Sequence, residues 1–118
     1  MAQEMKIGIK SREDFQKYTI AIAKGEIKPG KDQPKIWFDS LESMAQVLST
    51  KNRELLKIIK DEKPKSLKEL SDVSGRRVSN LSRTLKTMES YGIVTLEKEN
   101  RTIRPRICVD NFSAVFGL

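Results

Sequence analysis

The stretch SLKELSDVSGRRVSNLSRTLKTMESYGIV, residues 66–94, most constrains the fold of this chain. Ser66 and Glu69 have the spacing of a capping box, in which the serine oxygen accepts from a backbone N–H and the glutamate reaches back to the serine N–H. An apolar stripe of about two helical turns follows, formed by Leu67, Leu70 and Val73. Gly75 then supplies a backbone suited to a turn. The pattern predicts a short helix over 67–74 and a second helix immediately after the turn.

Apolar side chains of the second helix gather on one side at about 100° per residue, and we expect them in the core: Val78, Leu81, Leu85 and Met88. The opposite side carries no acidic residue and consists of Arg76, Ser79, Asn80, Arg83, Lys86 and Thr87. Arginine can bond guanine, asparagine can bond adenine, and serine or threonine can bond either base. The pattern therefore predicts a recognition helix over 76–90 that enters a DNA major groove.

Two kinds of DNA contact are expected from this helix. The residues predicted to read base edges are Ser79, Asn80 and Arg83. The residues predicted to contact the DNA backbone or flank the base contacts are Arg76, Arg77, Ser82, Lys86 and Thr87. Phosphate contacts supply affinity without sequence information, whereas base contacts select the site.

Residues 93–109 alternate between apolar and polar side chains with the period of two that is typical of half-buried strands, and a loop at ENRT divides them. This predicts a β-hairpin. Pro105 cannot donate a ladder hydrogen bond, so its strand is expected at an edge. The hairpin arginines are predicted to have open access to DNA phosphates or a minor groove: Arg101, Arg104 and Arg106.

The expected elements before residue 66 are a strand over 5–9, a helix from Ser11 to Lys24, a loop over 26–34, a strand over 36–38, a helix from Asp39 to about Leu48 and a helix over 50–62 capped by Ser49 or Thr50. The last helix is expected to bury Leu55, Leu56 and Ile59. This divides the chain into an N-terminal strand-helix extension and loop (1–33), a DNA-binding domain (34–110) and an apolar tail (111–118).

The apolar tail and the aromatic face of the N-terminal helix exceed what a three-helix core needs. Exposing both would be costly at about 25 cal/mol per Å². The two surfaces can cover each other in a monomer or contact a second subunit, and a homodimer is favoured. Trp37, between Ile36 and Phe38, is expected to anchor the structure rather than stack on a ligand.

The sequence resembles the prokaryotic winged helix-turn-helix regulators, and is similar to their MarR and ArsR groups, over about residues 34–109. The matching residues are Trp37–Leu41, Leu48–Leu56, Glu69-Leu70, Ser74–Arg76, Asn80–Leu85 and Tyr91–Val94. Arg76 departs from broader relatives, in which this position is often apolar. The resemblance implies an α+β winged helix-turn-helix fold, with the hairpin as the wing, and sequence-specific operator binding, usually as a homodimer. It also implies an alternative, an antitoxin that binds a toxin through its N-terminal segment and represses its own promoter.

Composition is consistent with a partner that is double-stranded DNA. The 118 residues suffice for one domain, and the net charge of +7 suits a polyanion. The chain has no histidine and a single cysteine, Cys108, so neither a metal site, a cofactor nor an enzyme is expected. The lone cysteine and the absence of an apolar stretch of about 20 residues favour a cytoplasmic protein without a membrane span.

Overall fold

A computed structural model describes residues 3–28 and 34–117. Its elements are β1 (Glu4–Ile9), α1 (Arg12–Ala23), β2 (Ile36–Phe38), α2 (Leu41–Val47), α3 (Thr50–Glu62), α4 (Leu67–Ser74), α5 (Val78–Ser90), β3 (Val94–Glu99), β4 (Thr102–Ile107) and β5 (Asn111–Val115). The predicted α+β class is confirmed. Part of the predicted loop (29–33) and the last tail residue, Leu118, lie outside the described residues. No described helix is long and apolar enough to cross a membrane.

The C-terminal tail is a strand, which the sequence analysis did not predict. β5 pairs in parallel with β1, which pairs in parallel with β2 on its other side, giving a sheet of order β2-β1-β5. The backbone N–H of Asp110 donates to the Gln3 carbonyl at 2.9 Å and starts the pairing. The tail therefore contacts the N-terminal extension by strand pairing with β1, and not by packing on α1.

One face of this sheet packs on the helices. Met5, Ile7, Ile36 and Phe38 alternate along β1 and β2 and are all buried. The Phe38 ring lies 4.5 Å from the ring of Tyr91, the residue that ends α5. The sheet thus shares one hydrophobic core with the rest of the chain.

Helix α1 packs on the opposite face of the sheet at Trp37. The Trp37 ring lies 6.0 Å from Phe15 and 5.6 Å from Tyr18, measured between ring centroids. Gly8 is opposite Trp37 in the neighbouring strand, and a Cβ there would lie 2.3 Å from Trp37 Cζ3. Glycine is required because the indole occupies the space of a side chain. These contacts give Trp37 the structural surroundings that were predicted.

Serine side chains cap four of the helices, namely Ser11, Ser40, Ser49 and Ser66. The prediction that Asp39 begins α2 is wrong, because Ser40 Oγ accepts from the Ser43 backbone N–H at 3.0 Å. Asp39 instead accepts from the Ser43 hydroxyl at 2.6 Å.

The capping box at α4 is also modified. Glu69 accepts from the backbone N–H of Lys65 at 3.3 Å, and not from that of Ser66. Ser66 Oγ accepts from the Glu69 backbone N–H as predicted, so the predicted start of α4 is confirmed.

Helices α3, α4 and α5 and the strand that follows them supply most of the core: Leu55, Leu56, Ile59, Leu70, Leu81, Leu85, Met88, Ile93 and Val94. The prediction that Val78 lies in the core is wrong, since this residue is 43% exposed, and Val73, at the end of the apolar stripe of α4, is 48% exposed. Both lie beside the Gly75 turn, at the adjoining ends of α4 and α5. A residue in the terminal turn of a helix has neighbouring turns on one side only. The apolar stripes of α4 and α5 are therefore buried in the middle of these helices and exposed at the ends that meet at Gly75.

Strands β3 and β4 form the predicted hairpin. Glu99 pairs with Thr102, which leaves a two-residue loop in which Asn100 has a φ of 54°. Pro105 is opposite Leu96, whose N–H donates to the side chain of Glu89 at 3.0 Å and points away from β4. This is a non-hydrogen-bonded pair, so the proline nitrogen faces the outer edge of β4 as predicted.

Candidate nucleic-acid interface

The side of α5 opposite its buried leucines is open to solvent. The exposed residues there are Ser79, Asn80, Arg83, Lys86 and Thr87, whereas Ser82 is half-buried. Glu89, also on α5, is occupied by the Leu96 N–H. The predicted base-reading residues therefore share an accessible surface of hydrogen-bonding and cationic side chains.

The start of α5 follows a tight turn at Gly75, which ends α4 with a φ of 75°. Arg77 occupies the N-cap position, is exposed and makes no side-chain capping hydrogen bond. The first N–H groups of a helix lack intrahelical partners and carry partial positive charge. This end of the helix can therefore donate to an anionic group.

Arg76 is half-buried, in contrast to the open position predicted for it. Its Nε and Nη2 donate to Asn80 Oδ1 at 2.9 and 2.6 Å. Nη2 also donates to Thr84 Oγ1 at 3.2 Å, and Nη1 donates to Asn52 Oδ1 at 3.2 Å. The guanidinium group of Arg76 donates its hydrogen bonds to side chains of α3 and α5. Arg76 therefore connects these helices and is not a free ligand for a phosphate.

Asn52 was not among the predicted site residues. Its Nδ2 donates to the carbonyls of Gln46 and Val47 at 3.3 and 3.0 Å, at the end of α2. Its Oδ1 accepts from Arg76, so Asn52 joins α2 and α3 to the start of α5. An asparagine in the first turn of a helix carries no sequence signal for a contact with a residue 24 positions later.

The hairpin arginines are not equally accessible. Arg101 is exposed in the loop, and no described carboxylate forms an ion pair with it. Arg106 Nε lies 3.1 Å from Glu97 and Arg104 Nη1 lies 3.9 Å from Glu99. The hairpin register places the glutamates on the same face of the two strands as these arginines. Both arginines are therefore ion-paired, with the side chain of Arg104 26% exposed and that of Arg106 52% exposed.

The family comparison covers this region. The sequence profile of HVO_A0114 matches residues 47–114, which is more than half of the chain. The chain belongs to the HVO_A0114 family. The match spans α3 through the hairpin and most of β5, and leaves out β1, α1 and β2. No curated protein matches the chain.

A cavity of about 670 Å³ lies between α3 and β4 and is lined by residues of the HVO_A0114 region, among them Lys60, Lys63, Cys108 and Asp110, and by Gln3 outside it. The Lys60 ammonium lies 3.3 Å from Asp110, whose carboxylate also accepts from the Gln3 backbone N–H at 3.1 Å. These two hydrogen bonds hold the pKa of Asp110 below its usual range. Asp110 thereby connects the end of α3 to the start of β1. The described residues contain no group of three or more side chains able to hold a metal ion.

Proposed function

We propose that this chain is a winged helix-turn-helix regulator that binds double-stranded DNA, with α4 and α5 as the helix-turn-helix and the β3-β4 hairpin as the wing. The observation that carries the proposal is the division of α5 into a buried side with Leu81, Leu85 and Met88 and an open side with Asn80 and Arg83. A helix about 10–12 Å wide with its side chains fits a major groove of similar width.

Specificity in this proposal comes from the first two turns of α5. Ser79, Asn80 and Arg83 contact base edges, and each good bidentate contact contributes about 1–3 kcal/mol of discrimination. Arg77, Ser82, Lys86 and Thr87 contact phosphates or flank the base contacts. The uncapped N-terminus of α5 adds a favourable field for a phosphate.

The wing contributes affinity through its loop. Arg101 is exposed at the tip, whereas Arg104 and Arg106 are partly neutralised by Glu99 and Glu97. An arginine that neutralises one phosphate changes the salt dependence of binding by about one unit. The loop thus supplies a backbone or minor-groove contact without base selection.

A homodimer is part of the proposal. β5 lies at the edge of its sheet, and Val115 and Phe116 are 71% and 52% exposed. An unpaired strand edge with apolar residues is a template for pairing with another chain. Pairing of two β5 strands would give a two-fold symmetric dimer, which is the symmetry that an inverted repeat requires. In the antitoxin alternative, a partner protein would instead bind through the N-terminal segment.

Selection of bound duplexes from a random pool, at about physiological salt, tests the proposal. We expect an enriched inverted repeat whose sequence preference weakens in Arg83→Ala. Arg12→Ala is the matched control, since Arg12 is an exposed arginine on α1, across the sheet from the helical core. Enrichment of no sequence, or equal effects of the two substitutions, would contradict the proposal.

A further inference from the structure

The side-chain amide of Asn80 is oriented by Arg76. Its Oδ1 accepts from both Arg76 Nε and Arg76 Nη2, at 2.9 and 2.6 Å. A carbonyl oxygen has two lone pairs, and both are occupied by these donors. The reversed amide would place its NH₂ group against two N–H donors, so the hydrogen-bond network selects one orientation. The Nδ2 group is therefore the free end of the amide: none of the described residues accepts from it.

Arg76 is itself held on several sides. Its guanidinium also donates to Asn52 and Thr84, each at 3.2 Å. Its backbone N–H donates to Ser74 Oγ at 3.2 Å, and its carbonyl accepts from the Ser71 hydroxyl at 2.6 Å. These contacts come from α3, α4 and α5, so a base that approaches Asn80 meets a guanidinium that is already in place.

We propose that Arg76 determines which base Asn80 reads, by leaving Asn80 only hydrogen-bond donors to present. This inference rests on the proposed function. The bidentate contact of asparagine with adenine needs Oδ1 as an acceptor for N6–H₂ and Nδ2 as a donor to N7. With Oδ1 occupied, the first half of that contact is lost. Guanine offers the acceptors O6 and N7, and thymine offers O4, to a group that can only donate.

Asn80 is therefore expected to prefer a different base from the one that an asparagine side chain usually contacts. An unconstrained asparagine favours adenine, whereas Asn80 paired with Arg76 favours guanine or thymine. The cost of taking the adenine contact is the breaking of two charge-assisted hydrogen bonds, which are about twice as strong as neutral ones. Arg76 is thus a positioning residue, acting through Asn80 without touching the base.

The test compares base preferences of the full chain and its variants by selection from a random pool followed by competition binding. The base pair read by Asn80 is the position whose preference disappears in Asn80→Ala. We expect guanine or thymine there for the unaltered protein, on the order of tenfold over adenine. In Arg76→Met the preference should move toward adenine, because Oδ1 becomes available. Arg77→Met is the matched control, since Arg77 is the adjacent exposed arginine, and it should weaken all duplexes alike.

A second variant keeps the test independent of the stability of Arg76→Met. Asn80→Asp retains an acceptor for Arg76 but cannot donate, so it should lose the preference as completely as Asn80→Ala. Adenine at the Asn80 position of the unaltered protein would overturn this inference while leaving the proposed function intact. So would retention of the preference in Asn80→Asp. Enrichment of no sequence at all by the unaltered protein would overturn both.

Discussion

Replacing Gly8 by alanine should destabilise the protein through a single steric contact. The added Cβ would lie 2.3, 2.6 and 2.8 Å from three atoms of the Trp37 ring. Carbon atoms in favourable contact are about 3.5–4.0 Å apart, so the ring must move by roughly 1 Å or more. Phe15 and Tyr18 pack against the ring, and the Lys10 ammonium lies 5.3 Å from its centroid, so this movement disturbs α1 as well.

The expected cost is about 2 kcal/mol. Overpacking typically costs about 1–3 kcal/mol. Loss of the two aromatic pairs of Trp37, at about 0.5–1.5 kcal/mol each, gives a similar value. For a chain of this size the midpoint of thermal unfolding should fall by about 8 °C, at about 4 °C per kcal/mol. The sign of the change in the free energy of unfolding is informative, because a Gly-to-Ala change that fits its site stabilises a protein by about 0.4–1 kcal/mol.

Thermal and urea unfolding of four proteins would measure this effect: the unaltered chain, Gly8→Ala, Trp37→Leu and the double variant. In the Trp37→Leu background the alanine should cost less than about 1 kcal/mol, because the smaller side chain leaves room for it. Gly117→Ala is the control, since a Cβ there meets no atom within 4 Å. Equal costs of Gly8→Ala in both backgrounds, or a cost no larger than that of Gly117→Ala, would refute the reasoning.

Three further predictions concern the core, the wing and the acid stability. Phe38→Ala should cost about 3–5 kcal/mol in urea unfolding, because the ring is buried against Tyr91, whereas Phe116→Ala, at a half-exposed ring, should cost about 0.5 kcal/mol or less. Arg101→Ala should lower the salt slope of DNA binding by about one unit, while Glu97→Gln should steepen it by releasing Arg106; unchanged slopes would contradict the assigned roles. The hydrogen bond from Lys60 lowers the pKa of Asp110, so its contribution to stability is present above the unfolded-state pKa and is lost as the pH falls through the folded-state pKa. Asp110→Asn should therefore flatten the loss of stability on acidification below about pH 4, and identical acid profiles of the two proteins would argue against this linkage.

The hairpin shows how far local patterns carry a prediction. Its strands were predictable from the alternation of apolar residues, and its edge position from Pro105. The pairing of Arg106 with Glu97 depended on the register of the two strands, which the loop at Asn100 and Arg101 sets. The sequence analysis placed the loop at the four residues ENRT, whereas only Asn100 and Arg101 form it, so the charges of the strands were predicted without their partners.

The tail shows a different limit. The apolar character of residues 111–118 predicted a covered segment, whereas only Phe112 of its described large apolar side chains is half-buried, and Val115 and Phe116 are exposed. Strand formation was not evident, because β5 pairs with β1 more than 100 residues earlier in the chain. Pairing partners at such separation leave no periodic signal in either segment.

The sequence by itself determined the starts of α1, α3 and α4, the turn between α4 and α5 and the division of α5 into apolar and polar sides. Serine caps, a glycine turn and helical periodicity act over a few residues, so they are readable without a fold. Tertiary structure alone decided that Arg76 turns inward to Asn52, Thr84 and Asn80, and that Val73 and Val78 remain exposed. Burial and hydrogen-bond partners depend on which helices meet, and three-dimensional packing sets that choice.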